Sequence, residues 1–188
     1  ICTSGSAVLN YGPALAEAYY QGVPLLAVTA DRPRELIDQQ ENQTLHQSGI
    51  YRNFIKGSFD LPQVITSSDD LWYAHRLINE AVDLTLTLCQ GPVQINVPLT
   101  EPLYDELPPP SSPMRIITRA TPEIELHLTG ELLQEWKQAK KIMIIHGQDH
   151  PGSMVIPYLQ SLSEDSRVIV MAENIANIPG EKIIRNSN

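Results

Sequence analysis

The run Pro24-Leu-Leu-Ala-Val-Thr29 is almost wholly apolar and closes on Asp31-Arg32-Pro33. A run this short, bounded by prolines and without alternation, suits a strand buried on both faces, the central strand of a parallel sheet. Parallel neighbours need crossover connections, so this element commits the chain to an α/β architecture. Ligands of open α/β sheets lie beyond the carboxyl ends of the strands. Arg32 leaves the strand at that end. Its planar fork suits a carboxylate, to which it can donate two parallel hydrogen bonds. Asn42 and Gln43 follow ten residues on, and their amides suit hydroxyl and carbonyl groups. Residues 30–43 therefore read as half of a pocket for a small polar acid. The alternative is a solvated Arg32 paired with Asp31 or Glu35, and the residues alone leave both open.

The flanking sequence supports alternating strands and helices. Thr3-Ser-Gly-Ser6 reads as a strand-to-helix turn, with Ser4 or Ser6 as cap and Gly5 allowing close approach of backbone or ligand. Val8, Tyr11, Leu15 and Ala18 mark one face of the helix, Pro13 should kink or split it, and Gly22 should stop it. Phe54–Leu61 reads as a strand with Lys56 and Ser58 outward. Ser67 or Ser68 caps a long helix with Leu71, Ala74, Leu77, Ile78, Ala81, Val82 and Leu88 on one stripe. Gly91-Pro92 ends it, and Val93–Val97 is the next strand. Six prolines between Pro98 and Pro113 then make a semi-rigid extended spacer and the strongest boundary in the chain. Beyond it, Met114–Thr118 is a candidate short strand and Thr129–Lys140 a helix with Leu132, Leu133, Trp136 and Ala139 inward. Ile142–Ile145 is a candidate buried strand, residues 153–164 a helix, and Val168–Met171 another strand, so a second α/β domain begins.

Totals exclude several classes. The chain has 188 residues and a net charge of −9, with thirteen scattered basic residues outnumbered by acids, which argues against nucleic acid. No apolar run approaches the roughly 20 residues of a spanning helix, and no basic stripe suggests a membrane surface. Cys2 and Cys89 make no disulfide framework and sit in apolar sequence, so buried free thiols and a cytoplasmic protein are expected. Ile1-Cys2-Thr3 resembles the end of a strand, so a piece of a longer protein is expected.

Other candidate chemistry is weak. His146-Gly-Gln-Asp-His150 has two imidazoles at spacing four, but Gly147 and Pro151 favour a polar strand-end loop over a metal site. Gly147 alone is no dinucleotide fingerprint. His46 and His75 are isolated, no serine lies in a nucleophile elbow, and Asn42-Gln43-Thr44 matches the glycosylation sequon only as short patterns often do.

Four stretches together carry a resemblance. Thr3-Ser-Gly-Ser-Ala7 and Gly91-Pro-Val-Gln-Ile-Asn-Val-Pro98 resemble thiamine-diphosphate decarboxylases generally. Ala30-Asp-Arg-Pro33 with Glu35-Leu-Ile-Asp38 and Asn42-Gln43, and Glu101-Pro-Leu-Tyr104, are similar to 2-succinyl-5-enolpyruvyl-6-hydroxy-3-cyclohexene-1-carboxylate (SEPHCHC) synthases of menaquinone biosynthesis. The similarity is dense to about residue 104. It implies three-layer α/β domains: the later part of a pyrimidine-binding domain (1–104), a Pro-rich linker (105–114) and the start of a central domain (115–188). It implies decarboxylation of 2-oxoglutarate on thiamine diphosphate, with Mg2+ or Mn2+, and addition of the resulting succinyl carbanion equivalent to isochorismate. Arg32, Asn42 and Gln43 would then line the substrate site, and Thr3, Ser4 and Gly5 would lie near the cofactor's pyrimidine. The activating glutamate and the metal–diphosphate motif would lie outside the chain, so no catalytic or metal residue and no tight cofactor binding is expected within it. The parent would be a homo-oligomer. Two other readings are an acetolactate synthase-like thiamine enzyme and a non-catalytic α/β ligand-binding module.

Overall fold

A computed structural model describes residues 1–87, 89–101, 113–120 and 129–186. The chain divides into two compact units, Ile1–Thr121 and Pro122–Asn188. Each is built on a parallel three-stranded sheet flanked by helices, the three-layer α/β arrangement.

In the first unit a 3-10 helix over Gly5–Tyr11 runs into α1 (Gly12–Gln21), which leads to β1 (Leu25–Asp31). Pro13 sits in the first turn of α1, where its missing N–H costs nothing, so the expected helix is split rather than bent. Gly22 ends α1 in the left-handed region at φ 64°. Ser4 precedes the 3-10 helix, but its side chain makes no capping bond, against expectation; it is buried instead. After a long loop come β2 (Gly57–Asp60), α2 (Ser68–Leu86) and β3 (Pro92–Pro98). β3 lies between β1 and β2, all parallel, with Val28 and Phe59 both opposite Ile95. The run expected to be a central strand buried on both faces is instead an edge of this three-stranded sheet: β3 is the central strand, only a single bridge from Cys2 to Thr29 lies on the outer side of β1, and Leu26 on one of its faces is exposed.

The two faces of this sheet differ. Val93, Ile95 and Phe59 point to one side and pack with Ile78, Ala81 and Leu84 of α2. Ser67 caps α2 in a reciprocal box with Asp70, and the hydrogen bonds from Ser67 and Thr66 hold the Asp70 carboxyl below its ordinary range. On the opposite face, Ala27 joins Val8, Leu15, Tyr51 and Ile55. Toward the carboxyl end of that face the side chains turn polar: Thr29 and Asp31 on β1, Gln94 and Asn96 on β3, Ser58 and Asp60 on β2.

Several expectations need correction. The strand at Phe54–Leu61 is confined to Gly57–Asp60, and Lys56 does not point outward: its ammonium donates to the Leu84 and Thr87 carbonyls at the open end of α2. Leu71 and Val82 of the α2 stripe are exposed, and Leu88 lies outside the described residues. Cys89 is exposed, because it falls in the turn after α2 rather than in a regular element. Met114–Thr118 is not a strand. The segment lies along α2, with Asn79 donating to Arg115 O at 2.9 Å, accepting from Ile117 N at 2.8 Å, and Arg119 pairing with Asp83 at 3.2 Å. Of the expected spacer, residues 105–112 lie outside the described residues.

The second unit contains α3 (Gly130–Gln138), β4 (Ile142–His146), α4 (Ile156–Leu162), β5 (Val168–Glu173) and β6 (Ile183–Asn186). The sheet order is β4-β5-β6, all parallel. Val168, Val170, Ala172 and Ile183 form its core with Ile156, Leu159, Ala176 and Ile178. β4, expected to be a buried strand, has Met143 and Ile145 63% and 75% exposed, because it is an edge strand and only one of its faces meets this core. Leu132, Leu133 and Trp136 of α3, expected inward, are exposed as well. β6 was not anticipated; Ile183-Ile184 is too short an apolar pair to announce a strand.

Candidate functional site

The polar end of the first sheet and the loop after β1 make the site. Arg32 leaves β1 with a side chain only 16% exposed, and its Nη1 donates to Glu101 Oε1 at 2.7 Å. Its Nε donates to the Asn42 carbonyl at 3.4 Å, tying the strand end to the loop. Neither bland partner is used: Asp31 Oδ1 instead accepts from the Arg32 backbone N–H at 2.8 Å, and Glu35 accepts from Gln63 at 3.0 Å. Glu101 pushes the Arg32 guanidinium further above its ordinary range, so the fork stays charged. Arg32 lines a cleft of about 750 Å3 with Asp31, Asp38, His46, Asp60 and Asn96.

Asn42 and Gln43 line a second cleft of about 600 Å3, and its other wall is the turn Thr3–Ala7. The two walls meet backbone to backbone. A Cβ on Gly5 would lie 3.0 Å from Gln43 Cα and 3.2 Å from its carbonyl carbon, and Gly5 has φ +82°, so only glycine fits. Gln43 is itself left-handed at φ 57°, as are Asp38 and Gln40 in the same loop. Three non-glycine residues in that region, within six positions, store backbone strain that the surroundings must hold.

Between the turn, the strands and the next part of this loop lies a buried network. Gln47, fully buried, accepts from Gly5 N at 2.8 Å through Oε1 and donates through Nε2 to Ala30 O at 2.8 Å and Asn96 Oδ1 at 3.2 Å. Asn96 Oδ1 also accepts from Thr29 Oγ1 at 2.9 Å, and its Nδ2 donates to Asp31 Oδ2 at 2.7 Å and Asp60 Oδ1 at 3.0 Å. Gln94 donates to Thr29 Oγ1 and to the Gln47 carbonyl, and accepts from Ser58 Oγ. Gln47, Gln94 and Asn96 thus all have partners, as the cost of an unpaired buried amide demands.

Residues 1–50 match the family described as thiamine pyrophosphate enzyme, N-terminal TPP binding domain. Over 98% of its length the chain is 40% identical to the 2-succinyl-5-enolpyruvyl-6-hydroxy-3-cyclohexene-1-carboxylate synthase of Desulfotalea psychrophila, covering 35% of that protein. The enzyme of the same name from Porphyromonas gingivalis is 40% identical over 95% of the chain and 31% of its own length, and that of Bacteroides fragilis 48% identical over 63% and 21%. The chain belongs to the SEPHCHC synthase family. It spans about a third of the length of the first two of these relatives.

The structure brings the Thr3–Gly5 turn and Asn42–Gln43 to one cleft and ties Arg32 to the same loop through Asn42. Gln47, Thr29, Asp31, Gln94, Asn96 and Asp60 were missed as site residues. A signal existed: Gln94 and Asn96 are amides in a run read as a buried strand, and buried amides must find partners. His46 reaches the cleft wall and pairs with Asp38 at 2.9 Å, both largely exposed. In the second unit, Asp149 lies 3.2 Å from His146 Nε2 and 3.0 Å from His150 Nδ1, closing the strand-end loop. A Ser153 hydrogen bond is the main cause of its lowered pKa. Among the described residues no group of three potential ligands could hold a metal, and no helix is long and apolar enough to cross a membrane.

Proposed function

We propose that the chain is part of a thiamine-diphosphate- and Mg2+-dependent SEPHCHC synthase that joins 2-oxoglutarate, with loss of CO2, to isochorismate. On this reading residues 1–104 belong to the pyrimidine-binding domain and the second unit opens the central domain. Residues 115–119 lie along α2 before it. The observation that carries the proposal is the convergence of Arg32, the Asn42–Gln43 loop and the Thr3–Gly5 turn at the carboxyl end of one parallel sheet.

The residues suit the pyrimidine end of the cofactor. The cleft between Thr3–Ala7 and Gln40–Leu45 is walled by hydroxyls, amides and backbone, with Glu41 its one ionisable side chain, so a flat heterocycle with donors and acceptors fits there. No cation lines it, so the diphosphate and its metal would be held by another part of the protein. When bound, thiamine diphosphate supplies the electron sink for decarboxylating a 2-oxo acid. This chain's residues bind and orient. Arg32 receives a substrate carboxylate on its fork, Asn42 and Gln43 position hydroxyl and carbonyl groups, and the buried network keeps the wall rigid. None of them is proposed to move a proton. The parent is proposed to work as a homo-oligomer, with cofactor sites completed by a second subunit.

The test is Arg32→Ala in the full-length enzyme that carries this segment. Loss of charge-assisted hydrogen bonds worth about 1.5–3 kcal/mol should lower kcat/KM by one to two decades. Arg32→Lys should recover only part of that, since the charge remains without the fork. Thiamine diphosphate binding, followed by circular dichroism, should survive in both. Near wild-type kinetics for both substrates with Arg32→Ala would defeat the substrate role, leaving an ion pair with Glu101 of about 0–1 kcal/mol.

A further inference from the structure

Gln47 is not in either stretch that frames the site, yet it is the side chain on which both depend. Its Oε1 takes the Gly5 N–H at 2.8 Å, and its Nε2 holds the end of β1 at Ala30 O and the middle of the network at Asn96 Oδ1. Its own backbone carbonyl accepts from Gln94 at 3.3 Å. One fully buried residue on the Asn42–Gln43 loop is therefore bonded to the Thr3–Gly5 turn, to β1 beside Arg32, and to β3. Where Gly5 and Gln43 touch there is no slack, because the gap between them is already too small for a Cβ. We infer that Gln47 is a positioning residue that locks the cofactor-side turn and the substrate-side loop into one rigid wall, so that binding on either side depends on the same amide.

A consequence follows for the turn itself. The Gly5 amide proton is committed inside the protein, so it is not a donor to the cofactor, and whatever Thr3–Gly5 offers must come from the other groups of the turn. Polarity matters as well as shape: at Nε2 two acceptors converge, which demands a donor, while at Oε1 a donor demands an acceptor. Only an amide satisfies both ends at every pH.

The inference rests on the functional reading above, and it is tested in the same full-length enzyme with Gln47→Met and Gln47→Glu beside Arg32→Ala. Gln47→Met removes all three side-chain bonds at similar volume. It should raise the KM for thiamine diphosphate and for the 2-oxo acid together, each by roughly tenfold or more, the equivalent of losing one or two ordinary hydrogen bonds. Arg32→Ala should raise only the substrate constant. Gln47→Glu adds a readout that simple loosening would not give. Its carboxyl still accepts from Gly5 N, but donates to Ala30 O or Asn96 Oδ1 only when protonated. Burial and the Asp31 and Asp60 carboxylates, which both accept from Asn96, favour the protonated form. Both KM values should lie near wild type around pH 6 and rise together toward pH 8, while wild-type values do not share that trend.

The outcomes separate cleanly. Wild-type kinetics for Arg32→Ala would remove the substrate reading beneath both proposals. A clear Arg32→Ala defect, with Gln47→Met moving neither constant or only one, would overturn the coupling and leave the substrate site standing. A pH-independent Gln47→Glu would do the same. If both Gln47 variants fail to fold, the network serves stability and the inference is overturned.

Discussion

The two units use one architecture and differ in what they bury. In the first, the sheet face under the loop carries Thr29, Asp31, Gln94 and Asn96, all buried, bonded to one another and to Gln47. In the second, the corresponding strands β5 and β6 bury Val168, Val170, Ala172 and Ile183, and the polar contacts collect in the loop after β4. Apolar burial is non-directional and tolerates small shifts, whereas hydrogen-bonded burial fixes positions to tenths of an ångström. Rigid polar packing therefore lies beneath the proposed binding wall, and ordinary apolar packing elsewhere.

The comparison is broken most severely at Asn96. Asn96→Leu deprives Asp31 and Asp60 of their shared donor and Thr29 and Gln47 of an acceptor. Hydrogen bonds to charged groups contribute about 1.5–3 kcal/mol each, so a loss of about 3–5 kcal/mol is expected for the first unit. Trp72 belongs to that unit and Trp136 to the other, so urea unfolding followed in a Trp136→Phe background reports the first alone. A loss under 1 kcal/mol would mean that the network is dispensable.

A reciprocal pair of swaps sharpens the contrast. Val170→Thr places a hydroxyl in an apolar core and should cost the second unit about 1–3 kcal/mol. Thr29→Val is the same change reversed, and it should also destabilise, by about 1–2 kcal/mol, because Gln94 Nε2 and Asn96 Oδ1 each lose a partner. If Thr29→Val instead stabilises, burial outweighs bonding on this face and the two units are not different in kind.

Smaller effects come from Tyr51, where the loop reaches the apolar part of the same face. Its hydroxyl donates to the Val8 carbonyl, and burial pushes its pKa up to about 12. The folded pKa is raised, so the neutral phenol stabilises fully below the unfolded value of about 10 and that contribution is lost as pH rises through the folded one. Unfolding midpoints of the first unit should fall between about pH 10 and 12 in wild type, and Tyr51→Phe should flatten that limb. At neutral pH the same substitution should cost only about 0.5–1.5 kcal/mol. An unchanged alkaline limb in Tyr51→Phe would assign it to another group.

Much of this was legible in the chain. The run at Pro24–Thr29 announced a parallel strand, Ser67 or Ser68 a helix cap, Pro13 a kinked or split helix and Gly22 a stop, because each depends on the residue and its near neighbours; that β1 lies at a sheet edge with one face partly exposed was not legible there. The resemblance in Ala30–Gln43 and Glu101–Tyr104 named the family that the relatives share. Exposure was legible only in part. Leu71, Ile145 and Trp136 have core-like spacing, yet what covers a face is set by distant segments. The partner of Arg32 could not be chosen from sequence either, since Glu101 is sixty-nine positions away while Asp31 and Glu35 are adjacent. Tertiary structure alone decided the role of Gln47. It reads as a polar loop residue in sequence. Folding sets its side chain within hydrogen-bond reach of Gly5, Ala30 and Asn96 at once, at separations of 42, 17 and 49 residues. Local sequence fixes local conformation through short-range sterics and bonding. Which buried amide meets which depends on how two strands, a turn and a loop are brought together, and that is a property of the whole sheet.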